Sequence, residues 1–169
     1  VKFRCRVSPL TRLPVGTETD ETALLVWTTT PWTLPANVAV AVHPDFNYVQ
    51  FRSGTEQFIA LEDLLEKIAE KTGLTIDERL KTFKGKELEG LELKHPFFDR
   101  VSPVVLADFV TAEDGTGAVH IAPGHGAEDY LVWQRYADKL PMIMPVDDRG
   151  YLVSHDQTGE EFYLGQKVW

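Results

Sequence analysis

Two polar segments lie beside hydrophobic strand patterns, and together they constrain the fold of this chain. The first is TTTPWTLPAN at residues 28–37, which continues from an apolar run over residues 22–29. The second is GTGAVHIAPGHGAEDY at residues 115–130, and it contains a short apolar run over residues 117–122. Apolar runs of this length, rich in β-branched residues, are typical of strands. If the two segments share a site, the fold must bridge the gap left by residues 38–114.

The rest of the chain alternates short strand patterns with turn signals. Further strands are predicted over residues 38–42, 47–52, 56–60, 103–109, 142–146 and 151–153, with two more inside residues 79–94. Turns are indicated at Ser53-Gly54 and at Asp147-Asp148-Arg149-Gly150. This pattern predicts a single α+β domain over residues 1–169. Its core would be an antiparallel or mixed, barrel-like sheet with two or more flanking helices.

Two helices are indicated by apolar residues at helical spacing. The first follows a leucine pattern that begins at Leu61, and Gly73 is placed to end it. The second is predicted over residues 126–138, with an apolar stripe formed by Tyr130, Trp133 and Ala137. The charged run within the first helix is expected to face solvent.

The composition excludes several classes of protein. The chain has 17 basic and 26 acidic residues and a formal net charge of −9, which argues against tight nucleic-acid binding by this chain alone. It contains no apolar run long enough for a membrane helix, and its charged start, without Met, resembles neither a signal peptide nor a complete protein. The lone Cys5 cannot form an internal disulfide and fits a reducing, cytoplasmic compartment. We therefore expect a cytoplasmic piece of a larger protein.

The threonine segment offers hydroxyl groups at the end of a strand. Pro31 disfavours helix at Thr30, so Thr28 and Thr30 are expected to point to one face and Thr29 to the other. Each hydroxyl can donate and accept a hydrogen bond, which suits the binding of a water molecule or an ester carbonyl. A threonine run is also common in purely structural strands, and Trp32 is open to interpretation as a packing residue.

The glycine-histidine segment offers a different set of groups. His120 lies within the strand and can form a pocket wall, whereas Gly124 and Gly126 let backbone amides approach a ligand on either side of His125. Asp129 falls in the first turn of the second helix, where a carboxylate stabilises the helix or could bind an ammonium group. The two histidines and the aspartate have only weak metal-ligand spacing, and we expect no metal. The remaining histidines, His43 and His95 among them, lie beside turn signals and are expected to face solvent.

Both segments resemble the editing domains of class I aminoacyl-tRNA synthetases, and the isoleucyl member in particular. That family carries the first segment unbroken, and His120 stands where it has histidine. The resemblance implies the editing-domain fold. It also implies that Asp129 binds the substrate's amino group, that Thr28, Thr29 and Thr30 form the pocket and position water, and that His120 limits side-chain size. Asn37, Trp32, Gly124 and His125 are the further substrate contacts that it implies.

The function implied by the resemblance is proofreading of tRNA. The domain would hydrolyse the ester that joins valine to tRNA(Ile), and the sequence leaves open whether valyl-adenylate is also a substrate. The expected partners are the charged 3′ end of that tRNA, valine or valyl-adenylate, and flanking synthetase domains. The ATP-binding signatures of class I synthetases are absent, so no cofactor is expected here and ATP would be used elsewhere in the parent enzyme. The alternatives are a non-catalytic module that binds tRNA ends or an amino acid, and a stand-alone trans-editing deacylase.

Overall fold

The computed structural model describes residues 1–5 and 22–151, and within these ranges nine strands form one sheet. The strands are β1 (Lys2–Cys5), β2 (Thr22–Leu25), β3 (Ala39–Val42), β4 (Asn47–Ser53), β5 (Glu56–Leu61), β6 (Glu78–Lys84), β7 (Glu92–Lys94), β8 (Val101–Leu106) and β9 (Ala118–Ile121). Their spatial order is β6-β4-β5-β2-β1-β7-β8-β3-β9. Two helices, α1 (Leu65–Thr72) and α2 (Ala127–Arg135), pack beside the sheet. A 3-10 helix over Pro31–Ala36 contains most of the first motif.

The sheet is mixed, and its ladder does not close into a barrel. β2 pairs with β5 and β3 pairs with β8 in parallel, whereas the other neighbouring strands are antiparallel. An isolated parallel bridge joins Trp27, just after β2, to Val119 in the edge strand β9. This bridge brings the end of β2, the fourth strand in the order, to β9, the last strand. The predicted α+β class with a mixed, barrel-like sheet is confirmed. The sheet itself stays open, and the Trp27–Val119 bridge is the contact that curls it toward a barrel.

Strand β3 lies between two hydrophobic cores, and its alternating sequence explains this position. Val40 and Val42 belong to the larger core, whereas Ala39 and Ala41 belong to the smaller one beside α2. Successive side chains of a strand point to opposite faces, so one face of β3 presents valines and the other presents alanines. The alternation of large and small residues thus reflects burial on both faces.

The first predicted helix is confirmed, with a 3-10 start. Residues Glu62–Leu64 form a 3-10 turn that leads into α1, whose buried residues are Leu65 and Ile68. Gly73 ends the helix in the left-handed conformation with a φ of 71°. Glycine takes this conformation without steric cost, which is why it is favoured at this position.

The second predicted helix is shorter than expected, and of its predicted stripe only Trp133 packs against a core. α2 ends at Arg135, because Tyr136 leaves the helical conformation with a φ of −122°. Val132 is the buried residue of this helix, whereas Tyr130 is exposed and Ala137 lies beyond the helix end. Trp133 packs partly buried against the smaller core, and its Nε1 donates to the Leu140 carbonyl in the following turn.

The end of the described chain also departs from the prediction. Residues 142–146 do not form a strand and contain only an isolated bridge residue at Val146. The turn predicted at Asp147 is present, since its Oδ1 accepts hydrogen bonds from the backbone N–H groups of Arg149 and Tyr151. The strand predicted over 151–153 lies mostly outside the described residues.

Candidate active site

Both sequence segments line one pocket of about 450 Å³. The pocket is lined by Trp27, Thr28, Thr29, Thr30, Trp32, Thr33, Val119, His120, His125, Gly126 and Asp129. The fold joins the segments because the Trp27–Val119 bridge places the end of β2 beside β9. The Trp27 N–H also donates to the Ala118 carbonyl at 3.3 Å. Residues distant in sequence therefore form a single concave site.

Three threonine hydroxyls form a connected chain along one wall of this pocket. The hydroxyl oxygens of Thr28 and Thr30 lie 3.4 Å apart, and those of Thr30 and Thr33 lie 3.3 Å apart. The Thr30 N–H donates to Thr28 Oγ1 at 3.0 Å, and Thr33 Oγ1 donates to the Thr30 carbonyl at 2.8 Å. These bonds hold the hydroxyls in defined orientations, and such groups can both donate to and accept from a bound water molecule.

Thr33 links the threonine wall to His120 on the other segment. Its Oγ1 lies 3.1 Å from His120 Nε2. Because the Thr33 hydroxyl proton is donated to the Thr30 carbonyl, the ring of His120 must donate from Nε2. This bond sets the tautomer of His120 and leaves its buried Nδ1 without a hydrogen-bond partner among the described residues.

His120 is neutral at physiological pH. Its side chain is 5% exposed, and burial lowers its pKa to about 4, with a smaller contribution from the charge of His125. A buried neutral imidazole is a rigid, uncharged wall. Sequence reasoning predicted His120 at the pocket but missed Thr33, although Thr33 follows Thr30 by three residues, the spacing that makes side chains adjacent in a 3-10 helix.

Asp129 faces this wall from the start of α2. Its Oδ2 accepts a hydrogen bond from the Ala122 N–H at 2.9 Å, which fixes the orientation of the carboxyl group. Burial raises the pKa of Asp129, the Ala122 amide opposes that change, and the neighbouring Glu128 adds to it. Gly126 packs against the carboxyl group, since a Cβ at that position would lie 3.0 Å from Asp129 Cγ. The pocket thus holds one half-buried carboxylate that a cationic ligand group would stabilise.

Of the other predicted substrate contacts, some line this pocket and some do not. Trp32 lines the pocket with a half-exposed side chain, and His125 lines both this pocket and a shallower adjoining cavity of about 540 Å³. Gly124 lines only the adjoining cavity. Met144 packs against it so closely that a Cβ on Gly124 would lie 2.8 Å from Met144 Cγ. Gly124 therefore permits close packing at the pocket's rim.

Asn37 is not among the pocket-lining residues. Its side chain is fully buried, with Nδ2 donating to the Ala39 carbonyl at 2.7 Å and Oδ1 accepting from Ser102 Oγ at 2.5 Å. Because both ends of the amide are used within the fold, this placement favours a structural role over the substrate contact expected from the sequence. Of these two hydrogen-bond partners, Ser102 lies in β8 and Ala39 is the first residue of β3.

Within residues 1–5 and 22–151, no group of three or more histidine, cysteine, aspartate or glutamate side chains is arranged to hold a metal ion. Neither is any helix in this part of the chain long and apolar enough to cross a membrane. Cys5 is buried in β1, and burial raises the pKa of its thiol to about 12.

Comparison with known proteins gives consistent similarities. A family model described as leucyl-tRNA synthetase, editing domain, matches residues 11–164. Isoleucine–tRNA ligase of Acholeplasma laidlawii is 53% identical over 138 residues, which is 82% of this chain and 15% of that protein. Isoleucine–tRNA ligase of Sulfurihydrogenibium sp. is 53% identical over 152 residues, covering 90% of this chain and 16% of that protein. The chain thus spans about a sixth of the length of these relatives.

Solved structures share the fold at lower sequence identity. The editing domain of cytosolic leucyl-tRNA synthetase from P. knowlesi aligns with a TM-score of 0.62 at 18% identity, covering 70% of this chain and 50% of that one. The corresponding domain from P. falciparum aligns with a TM-score of 0.60 at 16% identity, covering 70% and 47%. The predicted editing-domain fold is therefore confirmed.

Proposed function

Because this chain belongs to the leucyl-tRNA synthetase editing-domain family and matches a segment of isoleucine–tRNA ligases, we propose that it removes valine from mischarged tRNA(Ile). The observation that carries the proposal is the single pocket that both motifs line. One wall presents ordered threonine hydroxyls, another a neutral histidine, and the start of α2 a half-buried carboxylate. These groups match the three needs of an aminoacyl-ester hydrolase: a water site, a limit on side-chain size and an anchor for the amino group.

The amino group of the substrate binds Asp129 in this mechanism. An aminoacyl ester carries a positively charged α-ammonium group, and its contact with a carboxylate is a charge-assisted hydrogen bond. The Ala122 amide already holds one carboxylate oxygen, so the anchor has a fixed direction. Binding the ammonium group also offsets the cost of keeping this carboxylate charged in a half-buried position.

The threonine hydroxyls position the attacking water. Water adds to the ester carbonyl, the bond to the ribose oxygen breaks, and the proton lost by water ends on the leaving ribose hydroxyl. The chain from Thr28 through Thr30 to Thr33 contains groups that both accept and donate protons. His120 is a weak base, since burial lowers its pKa to about 4, and burial also lowers the pKa of His125. Positioning and electrostatic stabilisation therefore supply most of the rate enhancement.

Size selection falls to His120, which forms part of the pocket wall. Synthetases need such a second pocket because one methylene is worth only roughly 1–3 kcal/mol of discrimination, and isoleucine against valine is itself the standard illustration of that limit. A wall that admits valine and excludes isoleucine sorts the two by volume instead. The bond from Nε2 to Thr33 prevents the imidazole from rotating away.

The wider partners are also part of this proposal. With a net charge of −9, the chain is suited to receive only the charged 3′ end of the tRNA, while flanking synthetase domains bind the rest. The same pocket would accept the aminoacyl part of valyl-adenylate. The domain itself works without a cofactor, in the cytoplasm, and ATP is consumed elsewhere in the parent synthetase.

The test is deacylation of Val-tRNA(Ile) and Ile-tRNA(Ile) by the chain and by its His120→Ala variant. We expect the chain to release valine and spare isoleucine, and the variant to hydrolyse both esters. His43→Ala is the matched control, because His43 stacks on Phe46 away from the pocket and should leave the preference unchanged. Binding of a non-hydrolysable valyl-adenosine analogue without turnover would support the pocket but assign catalysis to additional domains. Absence of both binding and turnover would refute the proposal.

A further inference from the structure

Two side chains outside the pocket hold the segment that carries the pocket's hydroxyls. His95 and Arg100 lie in the connection between β7 and β8, and neither lines the pocket. His95 Nε2 bonds to the carbonyl of Leu34 at 2.9 Å, and Arg100 Nη2 donates to the carbonyl of Pro35. Both acceptors belong to the 3-10 helix that begins directly after Thr30. Sequence reasoning placed His95 in solvent, and that expectation is wrong, because its side chain is 1% exposed.

The hydrogen bonds of His95 define its protonation state. Nδ1 accepts from the backbone N–H groups of Phe97 and Phe98, each at 3.1 Å, so it carries no proton. The ring is then protonated at Nε2 and donates to the Leu34 carbonyl. Arg100 Nη2 lies 3.2 Å from the same Nε2, and because both nitrogens carry protons this is a close contact and not a hydrogen bond. Burial lowers the pKa of His95 to about 4, and the nearby charge of Arg100 contributes in the same direction. Both ring nitrogens of His95 therefore have hydrogen-bond partners in the fold, and these partners fix a single tautomer of the ring.

The 3-10 helix needs external support because of its own sequence. Pro35 inside the helix contributes no backbone N–H, and the helix has no side-chain cap at its start. A third side chain of the same region, Ser102 at the start of β8, holds Asn37 just after the helix. The β7–β8 connection thus binds the far end of the helix, while the pocket uses its near end.

The path from this support to the reacting groups is short. Leu34 follows directly after Thr33, whose hydroxyl contacts both Thr30 and His120. A shift of the Leu34 carbonyl would therefore move the Thr33 hydroxyl and the chain that depends on it. Misplacement by about 1 Å can cost on the order of 100-fold in rate, even when the cause lies away from the chemistry.

We propose that His95 and Arg100 are positioning residues, which hold the 3-10 helix so that the threonine hydroxyls and His120 keep their register in the pocket. This inference rests on the hydrolytic function proposed above. It adds two residues that act on the site from outside the substrate pocket. The two residues act through backbone carbonyls and touch no substrate. Their loss should consequently lower kcat while leaving KM nearly unchanged, because the Asp129 anchor remains in place.

Two substitutions at His95 separate the halves of its role. His95→Asn keeps an acceptor near the position of Nδ1 for the Phe97 and Phe98 amides but cannot reach Leu34. His95→Gln extends an amide donor toward the Leu34 carbonyl. We expect the Asn variant to lose about 10- to 100-fold in kcat for Val-tRNA(Ile), with KM within about twofold of the parent chain. The Gln variant should recover most of that loss.

A second readout is independent of turnover. In ¹H–¹⁵N NMR spectra, the amide signals of Thr30 and Thr33 should shift in the Asn variant and stay near their parent positions in the Gln variant. Signals from β6, at the far edge of the sheet, should be unchanged in both variants. If the parent chain neither hydrolyses Val-tRNA(Ile) nor binds the valyl-adenosine analogue but these shifts appear, the proposed function fails while the positioning role stands.

Other results would overturn the inference. Equal kcat values and equal threonine signals for the Asn and Gln variants would show that the Leu34 bond does not position the pocket. If the His95 variants do not fold, the pair Arg100→Met and Arg100→Lys poses the same question at the Pro35 carbonyl. Methionine can still pack on Phe98 but cannot donate a hydrogen bond, whereas lysine can. Equal kcat in that pair would also refute the role.

Discussion

Replacing Asp129 with asparagine removes one charge from the pocket while preserving the shape of the side chain. In the parent chain, Oδ2 accepts the Ala122 amide at 2.9 Å, and an asparagine oxygen can accept the same bond. Its NH₂ group would then face the substrate's ammonium group with two donors and no acceptor. The fold should therefore persist while the anchor is lost.

The size of the effect follows from the kind of bond removed. A hydrogen bond to a charged group contributes about 1.5–3 kcal/mol. At about 1.4 kcal/mol for each factor of ten, Asp129→Asn should lower kcat/KM for Val-tRNA(Ile) by roughly 10- to 150-fold. Partial burial favours the upper part of this range, because the interaction of two charges is stronger where the carboxylate is partly removed from solvent.

The pH dependence supplies an independent signature. Burial raises the pKa of Asp129, so the carboxylate becomes protonated and the anchor weakens at a higher pH than for an ordinary aspartate. In the parent chain, kcat/KM should fall as the pH drops through that raised pKa. The Asp129→Asn variant, which has no carboxylate there, should lack this acidic limb.

Glu128→Gln is the matched control, because it makes the same change of charge in the same turn of α2. Glu128 is exposed and does not line the pocket, so kcat/KM near neutral pH should stay within about twofold of the parent, while any effect on the helix start is shared by both variants. Removing the Glu128 charge should also shift the acidic limb to lower pH, since that charge raises the pKa of Asp129. Equal kcat/KM values for the two variants would refute the anchor role.

Two further predictions concern stability, measured by urea unfolding. Gly117→Ala should destabilise the chain by about 2–4 kcal/mol, because Gly117 has a φ of 73° and a new Cβ would lie 2.4 Å from the Leu61 Cβ. Gly54→Ala is its control, with a φ of 59° and nothing within 4 Å, so a loss equal to that of Gly117→Ala would contradict the packing argument. Separately, stability should fall as the pH drops from 6.5 toward 4, because the folded chain keeps His95 and His120 neutral down to a pKa of about 4 while the unfolded chain protonates them near 6.5. The loss approaches about 3 kcal/mol per histidine at the acidic end, and an unchanged slope in His95→Gln would count against it.

The composition of the pocket was largely predictable from the sequence. Strand alternation and Pro31 predict where Thr28 and Thr30 point, whereas the site role of Asp129 is implied by the family resemblance, because an acid at a helix start is equally expected for structural reasons. The fold then brings them together through the Trp27 bridge, a contact between strands that local patterns do not encode. The sequence therefore indicated the chemical groups, whereas their meeting depends on long-range pairing.

The supporting residues were missed for a physical reason. His95 and Ser102 lie beside turn signals, which usually mark exposed loops, yet both are buried. Their burial follows from hydrogen bonds to Leu34 and Asn37, which lie more than sixty residues earlier in the chain. The stripe predicted for α2 failed at Tyr130, which is exposed, and at Ala137, which lies beyond the helix end. Sequence periodicity predicts which face of a helix or strand is buried. It does not predict hydrogen bonds to residues that are distant in the sequence.

The distribution of buried polar groups connects the fold to the proposed chemistry. Nine polar or charged residues are buried in the described part of the chain, and five of them surround the threonine segment: Thr33, Asn37, His95, Ser102 and His120. Burying a polar group is costly unless its hydrogen bonds are made, and a hydrophobic replacement of similar volume would often be cheaper. Directional bonds, however, hold a backbone carbonyl or a hydroxyl in one place, which apolar packing does less specifically. Thr33 and His120 line the pocket, and the other three hold the 3-10 helix and the residue after it, an arrangement that suits a hydrolase relying on a positioned water molecule.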